Sequence, residues 1–197
     1  MIIFLDTEFT DLVIEPRLLS IGMVAAAEAD LEFYAEVTDR DRIHAACWFA
    51  LDVVLPQFGR IARAGCSYAS LGARLRVFVK RTVTTIAADE PVEIAFTYDL
   101  DWDLAQRAMR DAAGNPKDSV WRRLDPRNVY DVTQSIPARA AADAYFSQQV
   151  DAPIARHHAL CDARALRIAF ETGVARRDAT AGAASPPLDP ARPAAIG

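Results

Sequence analysis

The sequence is poor in cysteine, almost without lysine, and has no long apolar run. Cys47, Cys66 and Cys161 are three scattered residues with neither pairing nor zinc spacing. That excludes a disulfide framework and fits reduced thiols in a cytoplasmic protein. No apolar stretch approaches the roughly 20 residues of a membrane span. The N-terminus lacks the basic region, apolar stretch and small-residue cleavage site of a secretion signal. The expectation is a cytoplasmic chain with no membrane partner. Lys80 and Lys117 are the only lysines, so almost all the positive charge is arginine. The formal net charge of -5 argues against coating nucleic acid through bulk electrostatics. It does not exclude work on a strand end through metal ions, because carboxylates that hold metals count as negative charge until a cation reverses the local field.

What is present is a chain of 197 residues, 52% apolar and 25% charged, long enough for one domain with a sizeable core. Ile2, Ile3, Phe4 and Leu5 form an apolar run too short for a helix, expected as a central strand covered on both sides. Asp6 and Glu8 follow at its end. Side chains in a strand repeat every second residue, so both carboxylates project from one face. Adjacent acids repel unless a proton or cation lies between them, which points to a divalent metal on oxygen ligands. A strand running into an acidic turn is the plainer alternative.

Arg17 to Ala27 and Leu31 to Val37 read as two further strands, joined by short links into an antiparallel meander. Ile43 to Phe58 is apolar and helix-compatible. Ser70 is a plausible N-cap for a helix carrying Leu71, Leu75, Phe78 and Thr82 on one face. Pro91 to Tyr98 reads as a fourth strand and Asp101 to Arg110 as a helix. A polar loop with Trp121 follows, then a short fifth strand from Asn128 to Val132 and a helix from Ala138 to Gln148. Ala159, Ala163, Leu166, Phe170 and Val174 mark one buried face of a last helix from about His158. Residues 1–176 are expected to form the domain, and 177–197, rich in Ala and Pro, a flexible tail. Strands first, then strands alternating with helices, imply an α/β protein with a mixed five-stranded sheet flanked by helices.

Two more clusters carry chemistry. Asp99, Asp101 and Asp103 lie where the fourth strand gives way to a helix. Open α/β sheets build their sites at such strand ends, although an acidic first turn is also favoured by the helix dipole alone. His157-His158-Ala159-Leu160-Cys161-Asp162 opens the terminal helix and contains two of the three histidines. An imidazole in the preceding loop can swing over a site that Asp162 helps form and take a proton near neutral pH. The third histidine, His44, is isolated in the apolar stretch and is expected to be structural.

Asp-Thr-Glu after an apolar strand, an aspartate at a strand-to-helix junction and His-x-Ala-Leu-x-Asp-Ala on the last helix occur in that order. Together they resemble the DEDD 3′-5′ exonucleases of ribonuclease H-like fold, in the DnaQ-like branch with histidine in its third motif (DEDDh). Phe-Leu-Asp-Thr-Glu-Phe-Thr-Asp-Leu and Leu-Leu-Ser-Ile-Gly are most similar to small bacterial exoribonuclease-like proteins. The resemblance covers Met1 to about Val174. It assigns Asp6 and Glu8 to the first motif, His157 and Asp162 to the third, and Asp101, or Asp99 two residues earlier, to the second. Thr97-Tyr98-Asp99 and Asp11 depart from the usual residues at their positions.

The resemblance implies two Mg2+ or Mn2+ ions on Asp6, Glu8, Asp101 and Asp162, with His157 taking a proton from the attacking water. It further implies release of nucleoside monophosphates from single-stranded RNA or DNA 3′ ends, RNA slightly favoured. Phe9 and Thr10, with Leu12, stand where relatives contact the terminal base. Phe9 could stack there or be a core residue. Related nucleases are often dimers, so a homodimer belongs to the same expectation. The rival expectations are a catalytically weak nucleic-acid-binding or scaffold module of the same fold and a hydrolase of small nucleotide phosphoesters.

Overall fold

The computed structural model describes residues 1–12, 15–26, 31–87, 90–113, 123–149, 152 and 154–183. Strand β1 (Ile2–Phe9) lies inside a six-stranded mixed sheet, with Ile3, Phe4 and Leu5 wholly buried. Strands β2 (Leu18–Ala25) and β3 (Glu32–Val37) run antiparallel in turn, forming the expected meander. Helix α1 (Arg40–His44) and the two-residue β4 (Gly65–Cys66) follow, β4 pairing parallel with β3. Helix α2 (Tyr68–Arg81), β5 (Val92–Phe96) and α3 (Asp99–Ala113) come next. Then come β6 (Leu124–Asn128), α4 (Tyr130–Thr133), α5 (Ile136–Gln148) and α6 (Ala159–Ala183). The sheet order is β4-β3-β2-β1-β5-β6, with β5 parallel to β1 and β6 parallel to β5. The expected five strands become six because β4 adds an edge too short to signal itself in sequence.

Alternation along β1 divides the core into two layers. Ile3 and Leu5 pack with Leu71, Leu75 and Val79 of α2 and Leu104, Ala105 and Ala108 of α3. Phe4 packs on the other face with Leu166 and Phe170 of α6, its ring centroid 5.4 Å from that of Phe170. Continuing the alternation, Asp6 and Glu8 belong to the α6 face and Thr7 to the α3 face.

The structure corrects several sequence boundaries. The stretch 43–58 is not one helix: the Cys47 amide donates to the Thr10 carbonyl (2.8 Å) instead of continuing the helix. A π turn (Ala50–Val54) and a 3-10 turn (Leu55–Gln57) follow that break. His44 is exposed on α1, a helix with no buried residue, and supports no core. Ser67, not Ser70, caps α2, its side chain accepting from the Ser70 amide. Helix α3 begins at Asp99 rather than Asp101. The fifth expected strand lies earlier, at β6, and ends where the Asn128 side chain accepts from the Tyr130 amide (2.9 Å) and opens α4. Helix α6 continues to Ala183, past the start of the expected tail; residues 184–197 and Trp121 lie outside the described residues. Among the described residues, no helix is long and apolar enough to cross a membrane.

Candidate metal centre

Cross-strand register brings the ends of three segments together. Asp6 pairs with Gly22 on β2, and Gly22 pairs with Tyr34 on β3. The first residue of α6 rests on that glycine: a methyl group at Gly22 would run into the Ala159 backbone carbonyl. The missing side chain is what lets α6 begin against the sheet next to Asp6. His157, just before the helix, and Asp162, in its first turn, are thereby carried toward the carboxylates of β1.

Glu8, His157 and Asp162 each offer a ligand atom, and these atoms all lie within 4.8 Å of one another. The Asp162 Oδ2 accepts from the His157 backbone N–H (2.9 Å), while Oδ1 is buried with no hydrogen-bond partner. Asp101 comes from the first turn of α3, on the other side of β1. Its Oδ1 accepts from the Thr7 hydroxyl (2.7 Å) and the Thr7 amide (3.2 Å), which hold it beside the Asp6–Glu8 strand end. Asp101 is only 4% exposed. Asp99, by contrast, is exposed and accepts from the Asn128 side-chain amide (2.8 Å), and Asp103 is exposed. Of the two second-motif candidates, Asp101 is therefore the one that turns inward.

The electrostatics follow from this crowding. Burial, then the charges of Asp101, Asp162 and Glu8, hold the Asp6 carboxyl well above the usual carboxylate range. Burial, then Asp162 and Asp101, push Glu8 up to about 9. Asp101 is raised to about 7 by burial, with the Thr7 hydrogen bonds opposing the shift. Asp162 is likewise raised to about 7 by burial, opposed by the bond from His157 and the charge of Arg156. Four carboxyl groups crowded and buried in this way cannot all be ionised near neutrality unless a cation lies among them.

His157 is half-buried and adopts a left-handed backbone conformation, φ 64°, which a residue with a side chain adopts only when its surroundings enforce it. Buried Gln57 supplies that enforcement. Its Nε2 donates to the carbonyls of Arg156 (2.9 Å) and His157 (3.1 Å), and its Oε1 accepts from the Ala155 amide (2.9 Å). The imidazole stands edge-on to Phe49, with ring centroids 5.0 Å apart. Desolvation, then the Arg156 charge, lowers its pKa from 6.5. His158 has a different environment. It is 1% exposed, stacks on Tyr34 at 4.2 Å, and neither ring nitrogen has a hydrogen-bond partner.

Two cavities meet this cluster. One, of about 390 Å³, is lined by Glu8, Phe9, Asp11, Leu12, Trp48 and Phe49 among others. Phe9 is partly buried there and lies alongside Tyr98 at 6.4 Å. Thr10 is buried, and its Oγ1 accepts from the Arg17 amide (3.0 Å), so its side chain braces the loop after β1. The second cavity, of about 300 Å³, is lined by Asp6, His157 and Asp162 together with residues of α5. Sequence reasoning missed Gln57, Phe49 and the structural use of Gly22. Only Thr7 had a local signal, since strand alternation already assigns it to the face opposite Asp6 and Glu8.

Compared with models of known families and with curated proteins, the chain finds no match.

Proposed function

We propose that this chain is a metal-dependent 3′-5′ exonuclease of the DEDD type, taking single-stranded nucleic acid ends and releasing nucleoside monophosphates. The observation that carries the reading is the meeting of Glu8 on β1 with His157 and Asp162 at the start of α6, their ligand atoms within 4.8 Å, with Asp101 of α3 held on Thr7 of the same strand and Asp162 Oδ1 buried and unpartnered. The sheet order, with the first three strands antiparallel and β5 and β6 parallel to β1, supports the ribonuclease H-like reading. The four carboxylates fit a hard divalent cation, because their oxygens repel one another and a cation among them relieves that repulsion, with His157 the one nitrogen donor within reach among the described residues. Asp6, Glu8, Asp101 and Asp162 would hold Mg2+ or Mn2+, two ions by resemblance. Bound there, the metal supplies charge neutralisation at a phosphodiester and a lower pKa for water.

The chain's own residues supply the rest. Desolvation and the Arg156 charge lower the His157 pKa and so favour the neutral imidazole, the form that can accept a proton from an attacking water. The backbone bond from His157 to Asp162 and the Gln57 clamp fix where that imidazole stands. Phe9, with the aromatic pair Trp48 and Phe49, gives the larger cavity an apolar wall on which an unpaired terminal base can stack.

The test uses purified protein and Mn2+ with end-labelled single-stranded and duplex RNA and DNA. The expected result is stepwise shortening from the 3′ end with mononucleotide release, abolished by chelator and fastest on single-stranded RNA. No release from any of the four substrates overturns the reading.

A further inference from the structure

The cavity on the α5 side of the cluster contains two arginines as well as Asp6, His157 and Asp162. Their situations differ. Arg156 is engaged: it lies over the Phe146 ring at 4.3 Å and pairs with Asp143 at 2.6 Å. Its charge also acts on Asp162, lowering its pKa. Arg139 lies four residues before Asp143 on α5, the spacing at which a helical ion pair normally forms. That partner is already taken by Arg156. Among the described residues, the Arg139 guanidinium has no ion pair at all, although it lines a cavity containing two carboxylates. A cation used to offset those acids would be drawn into pairing with them. Left without an ion pair in the same cavity, the guanidinium can meet an anion that enters there.

We propose that Arg139 is a binding residue that holds a phosphate group of the substrate in the α5-side cavity, which Asp6 and Asp162 also line. The planar guanidinium fork suits bidentate contact with phosphate oxygens. Thr97 and Gln134 line the same cavity and add neutral polar groups beside it. The ligand class is a phosphate monoester or diester, from a nucleic acid strand or from a free nucleotide. The inference rests on the proposed phosphodiester chemistry but makes a separate claim about phosphate recognition.

The experiment compares the parent with Arg139→Ala and Arg139→Lys. Arg139 is exposed on α5, so thermal melts of the three proteins should coincide. Adenosine 5′-monophosphate and adenosine are titrated in the presence of Mg2+. The parent should prefer the monophosphate, and Arg139→Ala should lose about tenfold or more of that affinity, the usual worth of a charge-assisted hydrogen bond. Arg139→Lys should recover part of it, and adenosine binding should not change.

On a short oligonucleotide, Arg139→Ala should raise KM about tenfold with kcat nearly unchanged, again as a lost charge-assisted bond predicts. The dependence of log(1/KM) on log salt should become shallower by about 0.7, one phosphate contact on a single strand. A change in monophosphate affinity alone identifies a free nucleotide as the ligand; a change in both identifies the strand. If the parent cleaves RNA while Arg139→Ala matches it in affinity, KM and salt slope, phosphate recognition by Arg139 is overturned and the nuclease reading stands. If the parent cleaves nothing yet binds the monophosphate through Arg139, the reverse holds.

Discussion

Thr7 donates two hydrogen bonds to one oxygen of Asp101, from its hydroxyl at 2.7 Å and its amide at 3.2 Å. The contact joins β1 to the first turn of α3 across 94 residues and lies between the two acids of the strand. Both bonds favour the ionised carboxylate and oppose the upward shift that burial imposes. Thr7→Val keeps the shape and the amide bond but removes the hydroxyl. The Asp101 pKa should then rise above its present value of about 7, so Mn2+ affinity at neutral pH should fall and recover as pH is raised. Manganese titrations at pH 7 and pH 8.5 check this. Equal affinity in variant and parent at both pH values would mean that Asp101 is not a ligand.

The raised carboxyl pKa values of the cluster should make stability in the absence of a divalent cation fall as pH rises. An acid whose pKa is raised on folding binds more protons in the native state, so its contribution to stability is full below its unfolded pKa and is lost as pH rises through the folded one. Asp101 and Asp162, at about 7, and Glu8, at about 9, set that window between roughly pH 4 and pH 9. In chelator the melting temperature should fall from pH 5 to pH 9; with saturating Mn2+ that fall should be largely removed. Asp6→Ala relieves part of the repulsion, so its melting temperature in chelator should equal or exceed the parent's while mononucleotide release is lost. Retained turnover in the variant would remove Asp6 from the metal set.

The parts of the site legible in the sequence were those set by local pattern. Four apolar residues followed by Asp6 and Glu8 define a buried strand with two acids on one face, and that is how β1 lies. The parts that were not legible depend on contacts between distant segments. Asp99 and Asp101 both precede the apolar face of α3, and only packing against Thr7 turns the second inward. Gly22 reads as an ordinary strand residue until α6 is laid against it. The stretch 43–58 has helical composition, yet the Thr10 carbonyl takes the Cys47 amide and breaks the ladder. No periodicity predicts a bond made from another part of the chain.

Gln57 gives a sharper test of such a contact, because it holds the 155–157 turn through three hydrogen bonds from a residue about 100 positions away. Gln57→Ala leaves two carbonyls and an amide without partners in a partly buried turn, at a cost of about 1–3 kcal/mol. Release of the turn lets His157 leave its left-handed conformation. The maximal rate should fall about tenfold or more, a part of the roughly 10²–10⁴-fold that a positioned general base contributes, while Mn2+ affinity changes less. A melt shows the first effect and steady-state kinetics the second. A destabilised variant with an unchanged maximal rate would show that the turn's geometry does not matter to the chemistry.

The two adjacent histidines should separate most clearly of all. His157 lies with Glu8 and Asp162, whereas His158 is buried on Tyr34 with neither ring nitrogen bonded. His157→Ala should lower the maximal rate by about two to four powers of ten, the worth of a positioned base, and raising pH should partly restore it as hydroxide becomes available without help. His158→Phe should do neither, because a phenyl ring can keep the stacking contact and has no polar atoms to leave unpaired. Burial depresses the His158 pKa to about 4. A depressed histidine contributes stability that is present above its unfolded pKa of roughly 6.5 and is lost as pH falls toward the folded value. The parent should therefore lose stability between pH 6.5 and pH 4 through this residue, and His158→Phe should flatten that part of the profile. Rate and melting temperature measured against pH for both variants decide the matter. A larger rate loss for His158→Phe than for His157→Ala would exchange their roles.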